Sequence, residues 1–320
     1  MKAVFLDHAS LDQQDLDFSA LQTLFSELTL YPQTEADQVL ARIAPVEVVI
    51  SNKVVLNAET LAQCPDLKLI LISATGTNNI DLAQAERQGI VVCNCQGYGT
   101  AAVAQHTLAL MLALSTSLVQ YDQAVRRGDW SRSAQFCLLD YPIVELAGKT
   151  LGIVGYGELG QAVAKLARAF EMKVIVAGLP NRPQSDGRIA LEQLLPQVDF
   201  LSLHCPLTEQ TRNLIDADAL AAMKPTARLI NCARGGIVDE QALAVALQQG
   251  QIAAAAMDVL AVEPPPADHV LLQGNIPNLI ITPHSAWGSV DARQRIVQQM
   301  RENTLAFQQG QPIRQVFASK

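Results

Sequence analysis

Three residues suited to acid–base or anion chemistry lie just after apolar runs in the second half of the chain. They are Arg234, Glu263 and His284. If the apolar runs are strands of a parallel sheet, their carboxyl ends meet at one edge, where such sheets bind ligands. There an arginine fork can bind a carboxylate and an adjacent keto oxygen, and a histidine can give or take a proton. A glutamate can hold the second imidazole nitrogen, orient the ring and stabilise its protonated form.

Each of these residues also has an ordinary structural interpretation. A loop arginine beside two glycines is usually solvated or holds a phosphate, and a Thr-Pro-His string is usually a turn. A glutamate before three prolines usually ends a loop. What favours a functional interpretation is the glycine motif that precedes all three residues in the chain.

That motif is Gly155-x-Gly157-x-x-Gly160, between an apolar run and a helical stretch at residues 158–170. The first glycine permits a tight turn, the second lets a pyrophosphate approach the backbone, and the third lets the helix pack on its strand. Free amides and the helix dipole then face the anion. With a second strand at residues 173–176, the context predicts a dinucleotide-binding unit that serves hydride transfer.

Strand and helix signals alternate along the chain, which predicts parallel sheets covered by helices. Besides the strand that enters the glycine motif, strands are predicted at residues 3–6, 46–51, 67–73, 90–94, 173–176, 200–204, 228–231, 253–259 and 279–282. Helices are predicted at residues 16–28, 58–64, 81–88, 101–118, 158–170, 216–223, 239–248 and 290–307. The predicted class is α/β, with two Rossmann-like or flavodoxin-like domains. We expect a dinucleotide-binding domain over residues 100–287, inserted into a substrate domain of residues 1–99 and 288–320.

Composition narrows the functional classes. The chain has 320 residues, a formal charge of −8 and 49% hydrophobic residues, and it lacks a basic cluster, which argues against nucleic acid as the main partner. Its longest uncharged stretch, residues 100–121, is too polar for a membrane span. Six cysteines form no CxxC pair, so we expect no metal site and a reduced, cytoplasmic location.

The ordered strings GYGELG, NCARGGIVDEQAL, AAAAMDVLAVEPP and ITPHSAWGS resemble the D-isomer-specific 2-hydroxyacid dehydrogenase family over nearly the full chain. Within it, FCLLDYPIVELAGKTLG and TPHSAWGS are most similar to bacterial glycerate dehydrogenases, also called hydroxypyruvate reductases. The resemblance implies reduction of hydroxypyruvate to D-glycerate, or of glyoxylate to glycolate, with NAD(P)H and His284 as the acid and base. It also implies a homodimer built through the cofactor domain.

The resemblance further implies a role for each matching position. Arg234, Glu263 and His284 match the catalytic residues. The substrate is expected to meet Arg234, His284 and the loop Ala74-Thr75-Gly76. The cofactor is expected to meet Thr100, Gly155, Gly157, Glu158, Leu159, Gly160, Gly178, Arg182, His204, Cys205, Pro206, Thr211, Cys232, Ala233, Asp258 and Ala286.

One departure bears on the choice of cofactor. An NAD enzyme usually ends its second strand with an acid that binds the ribose 2′-hydroxyl, but here that position is Gly178. Without a carboxylate a 2′-phosphate is not repelled, and Arg182 offers it a cation. We therefore expect NADP(H) to be favoured somewhat over NAD(H). The alternative is an NAD site that uses backbone contacts, with Arg182 solvated.

Other functions stay open on the sequence alone. One is reduction of a different 2-keto acid, of the 2-ketogluconate or phosphoglycerate type. Another is a protein that senses a dinucleotide without catalysis, which the full set of Arg234, Glu263 and His284 argues against. The substrate side chain is set by loop geometry that sequence does not show.

Overall fold

A computed structural model describes residues 1–179, 187–274 and 276–318. The chain forms two compact units, one from Met1–Gly99 with Gly288–Lys320 and one from Thr100–Trp287. Each contains a single parallel sheet with helices, so the predicted α/β class is confirmed.

The first unit holds a five-stranded sheet with the spatial order 2-1-3-4-5. Its strands in chain order are β1 (Lys2–Phe5), β2 (Glu27–Leu30), β3 (Val48–Ser51), β4 (Leu69–Ile72) and β5 (Val91–Cys93). This order is the flavodoxin-like one. The inner strands β3 and β4 are buried at every position, as expected when helices cover both faces of a parallel sheet.

The second unit holds a seven-stranded sheet with the spatial order 12-11-10-9-6-7-8. Its strands are β6 (Thr150–Val154), β7 (Lys173–Ala177), β8 (Arg188–Ile189), β9 (Phe200–Leu203), β10 (Arg228–Asn231), β11 (Ala254–Met257) and β12 (Leu279–Ile281). The chain moves outward from β6 in one direction and, after β8, in the other. The topological switch therefore lies between β6 and β9, where such sheets bind their ligands.

Helices surround both sheets, and several begin at a side-chain cap. Asp239 accepts a hydrogen bond from the Ala242 amide at 2.9 Å, and Ser289 accepts one from Ala292 at 3.1 Å, which satisfies amides that have no partner within the helix. The helices are α1 (Ser19–Gln22), α2 (Val39–Ile43), α3 (Ala58–Ala62), α4 (Leu82–Arg87), α5 (Thr100–Thr116), α6 (Leu118–Arg126), α7 (Glu158–Ala169), α8 (Leu191–Leu194), α9 (Ala217–Ala222), α10 (Glu240–Gln248) and α11 (Val290–Gln308).

The helix predicted at residues 16–28 is wrong. Only α1 is helical there, and the segment ends in β2, which pairs with β1 from Lys2↔Glu27 to Phe5↔Leu30. Apolar spacing in a short segment fits a helix and a strand about equally well. Pairing with β1 decides between them, because it adds backbone hydrogen bonds at the sheet edge.

The helix predicted at residues 101–118 is broken. Ser117 adopts a left-handed backbone, φ 51°, and separates α5 from α6 by a bend of 59°. Over the described residues, no single helix is long and apolar enough to cross a membrane. The bent pair of α5 and α6 meets that criterion together, by length and composition alone.

Candidate active site

The imidazole of His284 contacts the carboxylate of Glu263. Nδ1 of His284 lies 2.6 Å from Oε2 of Glu263, and the two side chains are 34% and 35% exposed. They follow the adjacent strands β12 and β11, so the carboxyl ends of neighbouring strands bring them together. A carboxylate on Nδ1 favours the tautomer that carries its proton there, which leaves Nε2 to exchange a proton.

The backbone of His284 is held in a conformation that side-chain-bearing residues rarely adopt. Its φ is 51°, in the left-handed region, where non-glycine residues are uncommon and cluster at functional sites. The His284 amide donates to the carbonyl of Asp258 at 2.7 Å. The Asp258 carboxylate, 1% exposed, accepts from the hydroxyl of Thr282 and from the amides of Ser285 and Ala286. Asp258 thus fixes the loop that carries His284.

Arg234 lies on the loop after β10 and is exposed. Its Nη1 donates to the carbonyl of Ala233 at 2.7 Å. Asn231 is fully buried at the end of β10 and holds this loop through two hydrogen bonds. Its Oδ1 accepts from the Ala233 amide, and its Nδ2 donates to the Arg234 carbonyl. The guanidinium fork is therefore carried on a fixed backbone.

Gly235 brings the Arg234 loop against the Glu263 loop. A Cβ built on Gly235 would lie 1.9 Å from the carbonyl oxygen of Leu260 and 2.5 Å from the amide nitrogen of Ala261. Only glycine allows such a close approach of two backbones. Arg234, Glu263 and His284 are therefore carried on loops at the carboxyl ends of three neighbouring strands, β10, β11 and β12.

The glycine motif has the geometry of an anion cradle. Gly155 has φ 93°, and a Cβ there would lie 2.5 Å from the Cys205 amide nitrogen, whereas a Cβ on Gly160 would meet the Gly155 carbonyl at 2.2 Å. Gly157 faces open space. In the described part of the chain, the amides of Glu158 and Leu159 at the start of α7 donate to no acceptor. These features fit a dinucleotide pyrophosphate.

The other described polar residues of the predicted cofactor site are either uncharged or hydrogen-bonded to a neighbouring side chain. The Thr100 hydroxyl donates to Glu158 Oε1 at 2.7 Å. Burial lowers the pKa of His204 to about 4, and its Nδ1 is buried with no hydrogen-bond partner among the described residues. Burial raises the pKa of Cys205 to about 11 and that of Cys232 to about 12. Both thiols are therefore protonated, as suits packing and not redox or metal chemistry.

Three further residues of the predicted cofactor site, Thr211, Ala233 and Ala286, are buried. The Thr211 hydroxyl is buried and bonds within its own turn, donating to the Pro206 carbonyl at 2.7 Å and accepting from the Thr208 amide. Ala233 lies on the loop just after β10, and Ala286 lies on the loop between β12 and α11. Across the described ranges, no group of three or more histidine, cysteine or acidic residues could hold a metal ion.

Gly178 directly follows β7, and its amide donates to the Ile189 carbonyl at 2.8 Å. A Cβ on Gly178 would lie 3.7 Å from that carbonyl oxygen, an ordinary contact. The structure therefore has room for a side chain at this position, and packing does not explain why an acid is absent there. Arg182 lies outside the described residues, so its predicted contact with a 2′-phosphate stays a prediction.

The loop Ala74-Thr75-Gly76 belongs to the first unit. The Thr75 hydroxyl donates to the Cys95 carbonyl at 2.9 Å, and Asn94 donates to the Thr75 carbonyl at 2.7 Å. Among the residues described here, the amides of Thr75 and Gly76 donate to no acceptor. Two free amides on a fixed loop fit the carboxylate site expected from the sequence.

Comparison with known proteins identifies the family. Residues 108–286 match the family described as D-isomer specific 2-hydroxyacid dehydrogenase, NAD binding domain. The chain belongs to this family. It is therefore an oxidoreductase of the class that acts on CH–OH groups.

Individual relatives resemble this dehydrogenase over almost its whole length. A glycerate dehydrogenase from Methylorubrum extorquens is 46% identical, covering 97% of both chains. A hydroxypyruvate reductase from Blautia hydrogenotrophica is 36% identical, covering 98% of both. The solved structure of the TT0316 protein from Thermus thermophilus superimposes with a TM-score of 0.85 at 33% identity, covering 99% of this chain and 100% of that one.

Sequence reasoning missed the residues that hold the three loops. Asn231, Thr282, Glu240 and His269 are not in the predicted site, yet their side chains bond the backbone or the acids around it. A polar residue at the end of an otherwise apolar strand was the available signal for Asn231. Glu240 and His269 gave no local signal, because their partners lie 21 and 29 residues away.

Proposed function

We propose that this dehydrogenase reduces hydroxypyruvate to D-glycerate, or glyoxylate to glycolate, with His284 as the acid that protonates the new alkoxide. The observation that carries the proposal is the 2.6 Å contact between His284 Nδ1 and Glu263 Oε2 beside the Arg234 loop. A protein that only senses a dinucleotide has no need of such a proton-exchanging pair. The names of the Methylorubrum and Blautia relatives support hydroxypyruvate and glycerate as the substrate pair.

The chain's own groups divide the work as follows. The Arg234 fork spans the substrate carboxylate and the keto oxygen. When bound, the reduced nicotinamide supplies the hydride. His284 donates a proton from Nε2 to the oxygen and recovers it in the reverse direction. Glu263 balances the charge of the protonated ring and keeps its orientation.

A substrate and cofactor panel tests the function. Hydroxypyruvate, glyoxylate, pyruvate and 2-ketogluconate are each assayed with NADH and with NADPH. We expect the highest kcat/KM for hydroxypyruvate or glyoxylate. A higher value for 2-ketogluconate or pyruvate would assign a different reductase of the family, and no turnover of any keto acid would support the sensing alternative.

Glu263→Gln should lower kcat/KM for reduction by roughly 10- to 100-fold, as when a group that orients a reactive side chain is lost. The carboxylate faces the ring at 2.6 Å, and the amide that replaces it carries no charge to balance the protonated imidazole. The measurement is kcat/KM for hydroxypyruvate, with a deuterated cofactor to confirm that hydride transfer limits the rate. A kcat/KM equal to that of the wild type would contradict the pairing.

We further propose that the cofactor is NADP(H) in preference to NAD(H), because Gly178 supplies no carboxylate and Arg182 is the nearby cation in the sequence. Gly178→Asp should shift kcat/KM toward NADH by roughly tenfold or more. The new carboxylate would bond the ribose 2′-hydroxyl and repel a 2′-phosphate, and charged hydrogen bonds contribute about 1.5–3 kcal/mol.

Gly178→Ala is the matched control for that prediction. It adds the same Cβ, for which the structure has room, but no charge, and should leave the cofactor ratio unchanged. If the aspartate variant keeps the wild-type ratio while the alanine variant folds normally, Gly178 does not face the ribose.

We also propose a cytoplasmic homodimer built through the second unit. Residues 118–143 carry large apolar side chains in contact with solvent, including Phe136 at 89%, Leu139 at 78% and Trp130 at 51% exposure. Apolar groups clustered in this way mark a protein interface. All six cysteines are free thiols, as in a reducing compartment. Sedimentation of the wild type at a monomer mass would contradict the dimer.

A further inference from the structure

Glu240 and His269 form a second carboxylate–histidine pair in the same unit. Oε2 of Glu240 lies 2.9 Å from Nε2 of His269, and the two side chains are only 11% and 10% exposed. Nδ1 of His269 accepts from the Leu271 amide at 3.2 Å. Because Nδ1 accepts, the ring carries a proton on Nε2, which it donates to Glu240.

The second oxygen of Glu240 bonds the loop that carries Glu263. Oε1 of Glu240 accepts from the Ala261 amide at 2.7 Å. Directly beside it, the Leu260 amide donates to Oε1 of Glu263 at 2.9 Å. One carboxylate therefore joins Ala261, which precedes the prolines at residues 264–266, to His269, which follows them.

Leu260 at the start of this loop is buried, but the residues that follow it are not. Residues 261–264 are exposed, Val262 at 58%, so apolar packing does not fix the Glu263 side chain. A half-exposed ion pair contributes little and keeps no single geometry unless its partners are held. Within the described ranges, Glu240 pairs only with His269, and Glu263 only with His284. Glu240 is the first residue of the regular helix α10, so its hydrogen bond attaches the loop to a rigid element.

We propose that Glu240 and His269 are positioning residues for the proton-transfer pair. They hold the turn of residues 260–263 so that Oε2 of Glu263 stays on Nδ1 of His284. The inference rests on the proposed function for its effect on turnover. The competing role is purely structural: a glutamate in the first turn stabilises α10 through the helix dipole, which affects stability and not the rate per folded site.

Glu240→Ala removes both hydrogen bonds and tests the proposal. We expect kcat for hydroxypyruvate reduction to fall by roughly 10- to 100-fold, as when groups that orient a reactive ligand are lost. The KM for hydroxypyruvate and the Kd for NADPH should change less than about threefold, because neither Arg234 nor the glycine motif is touched. His269→Gln, which keeps a donor toward Glu240, should retain more activity than His269→Ala.

Glu192→Ala is the matched control. Glu192 is an exposed glutamate in the first turn of α8, and its removal should leave kcat unchanged. A double-mutant cycle adds a readout that a structural role does not move. If Glu240 acts through Glu263, then Glu240→Ala should cost less than about twofold in a Glu263→Gln background. The proposal would be overturned if Glu240→Ala lowered kcat as much in the Glu263→Gln background as in the wild type. It would also be overturned if Glu240→Ala alone lowered the Tm and left kcat unchanged.

A measurement without substrate separates this proposal from the proposed function. The ring Nδ1–H of His284, bonded to a carboxylate, should give a downfield proton resonance in the wild type that Glu263→Gln abolishes. We expect Glu240→Ala to weaken or abolish it and Glu192→Ala to preserve it. Loss of the resonance in an enzyme that reduces no keto acid would sustain the positioning role and refute the function. A resonance unchanged in Glu240→Ala would refute the positioning role alone.

Discussion

Replacing His284 with alanine is expected to lower keto-acid reduction by about 10²–10⁴-fold, the usual cost of removing a general acid. Cofactor binding should be preserved, because His284 lies on the loop after β12 and the glycine motif lies at β6. The measurements are kcat/KM for hydroxypyruvate and the Kd for NADPH by fluorescence titration.

The backbone at position 284 calls for a second variant. The φ of 51° is unfavourable for alanine, so His284→Ala perturbs the loop as well as the chemistry. Asparagine adopts this region more readily than most residues, so His284→Asn keeps the backbone and removes the acid. Both variants should be inactive. If His284→Asn keeps wild-type turnover, the loss in His284→Ala comes from the backbone and His284 is not the acid.

Gly235→Ala is expected to separate the Arg234 loop from the Glu263 loop and inactivate the enzyme. The new Cβ would lie 1.9 Å from the Leu260 carbonyl oxygen, and the obstacle is backbone that belongs to the Glu263 turn. Overpacking costs about 1–3 kcal/mol of unfolding free energy or more. A displacement of about 1 Å can cost 10²-fold in rate, so kcat/KM should fall by about that factor.

Gly274→Ala is the control for this substitution, because Gly274 is exposed, has an ordinary φ and has no atom within 4 Å of its added Cβ. It should leave both the denaturation midpoint and kcat/KM close to wild type. If Gly235→Ala retains full activity, the close approach of the two loops is not needed to assemble the site. Thermal unfolding and kinetics measured on the same preparations distinguish loss of fold from loss of geometry.

Local signals predicted the strands well where apolar residues ran together. The run at residues 228–231 is predicted and observed with the same bounds, and β7 and β9 agree within one residue. The prediction failed at residues 16–28, where the spacing fits a helix but the edge of the first sheet is completed by β2. It also missed the break at Ser117, since a serine in the left-handed region has no sequence marker.

The sequence by itself determined the parallel α/β class and the order in which Arg234, Glu263 and His284 follow their strands, because apolar periodicity and glycine spacing are local properties of the chain. The resemblance of its ordered strings to known proteins indicated the family. Only the tertiary structure decided what holds these residues. Three contacts join segments that lie 20 or more residues apart in the sequence. They are the approach of Gly235 to Leu260, the hydrogen bonds of Asp258 to the His284 loop, and the pair of Glu240 and His269. Contacts of that kind depend on how neighbouring strands lie side by side in the sheet, which no short stretch of sequence encodes.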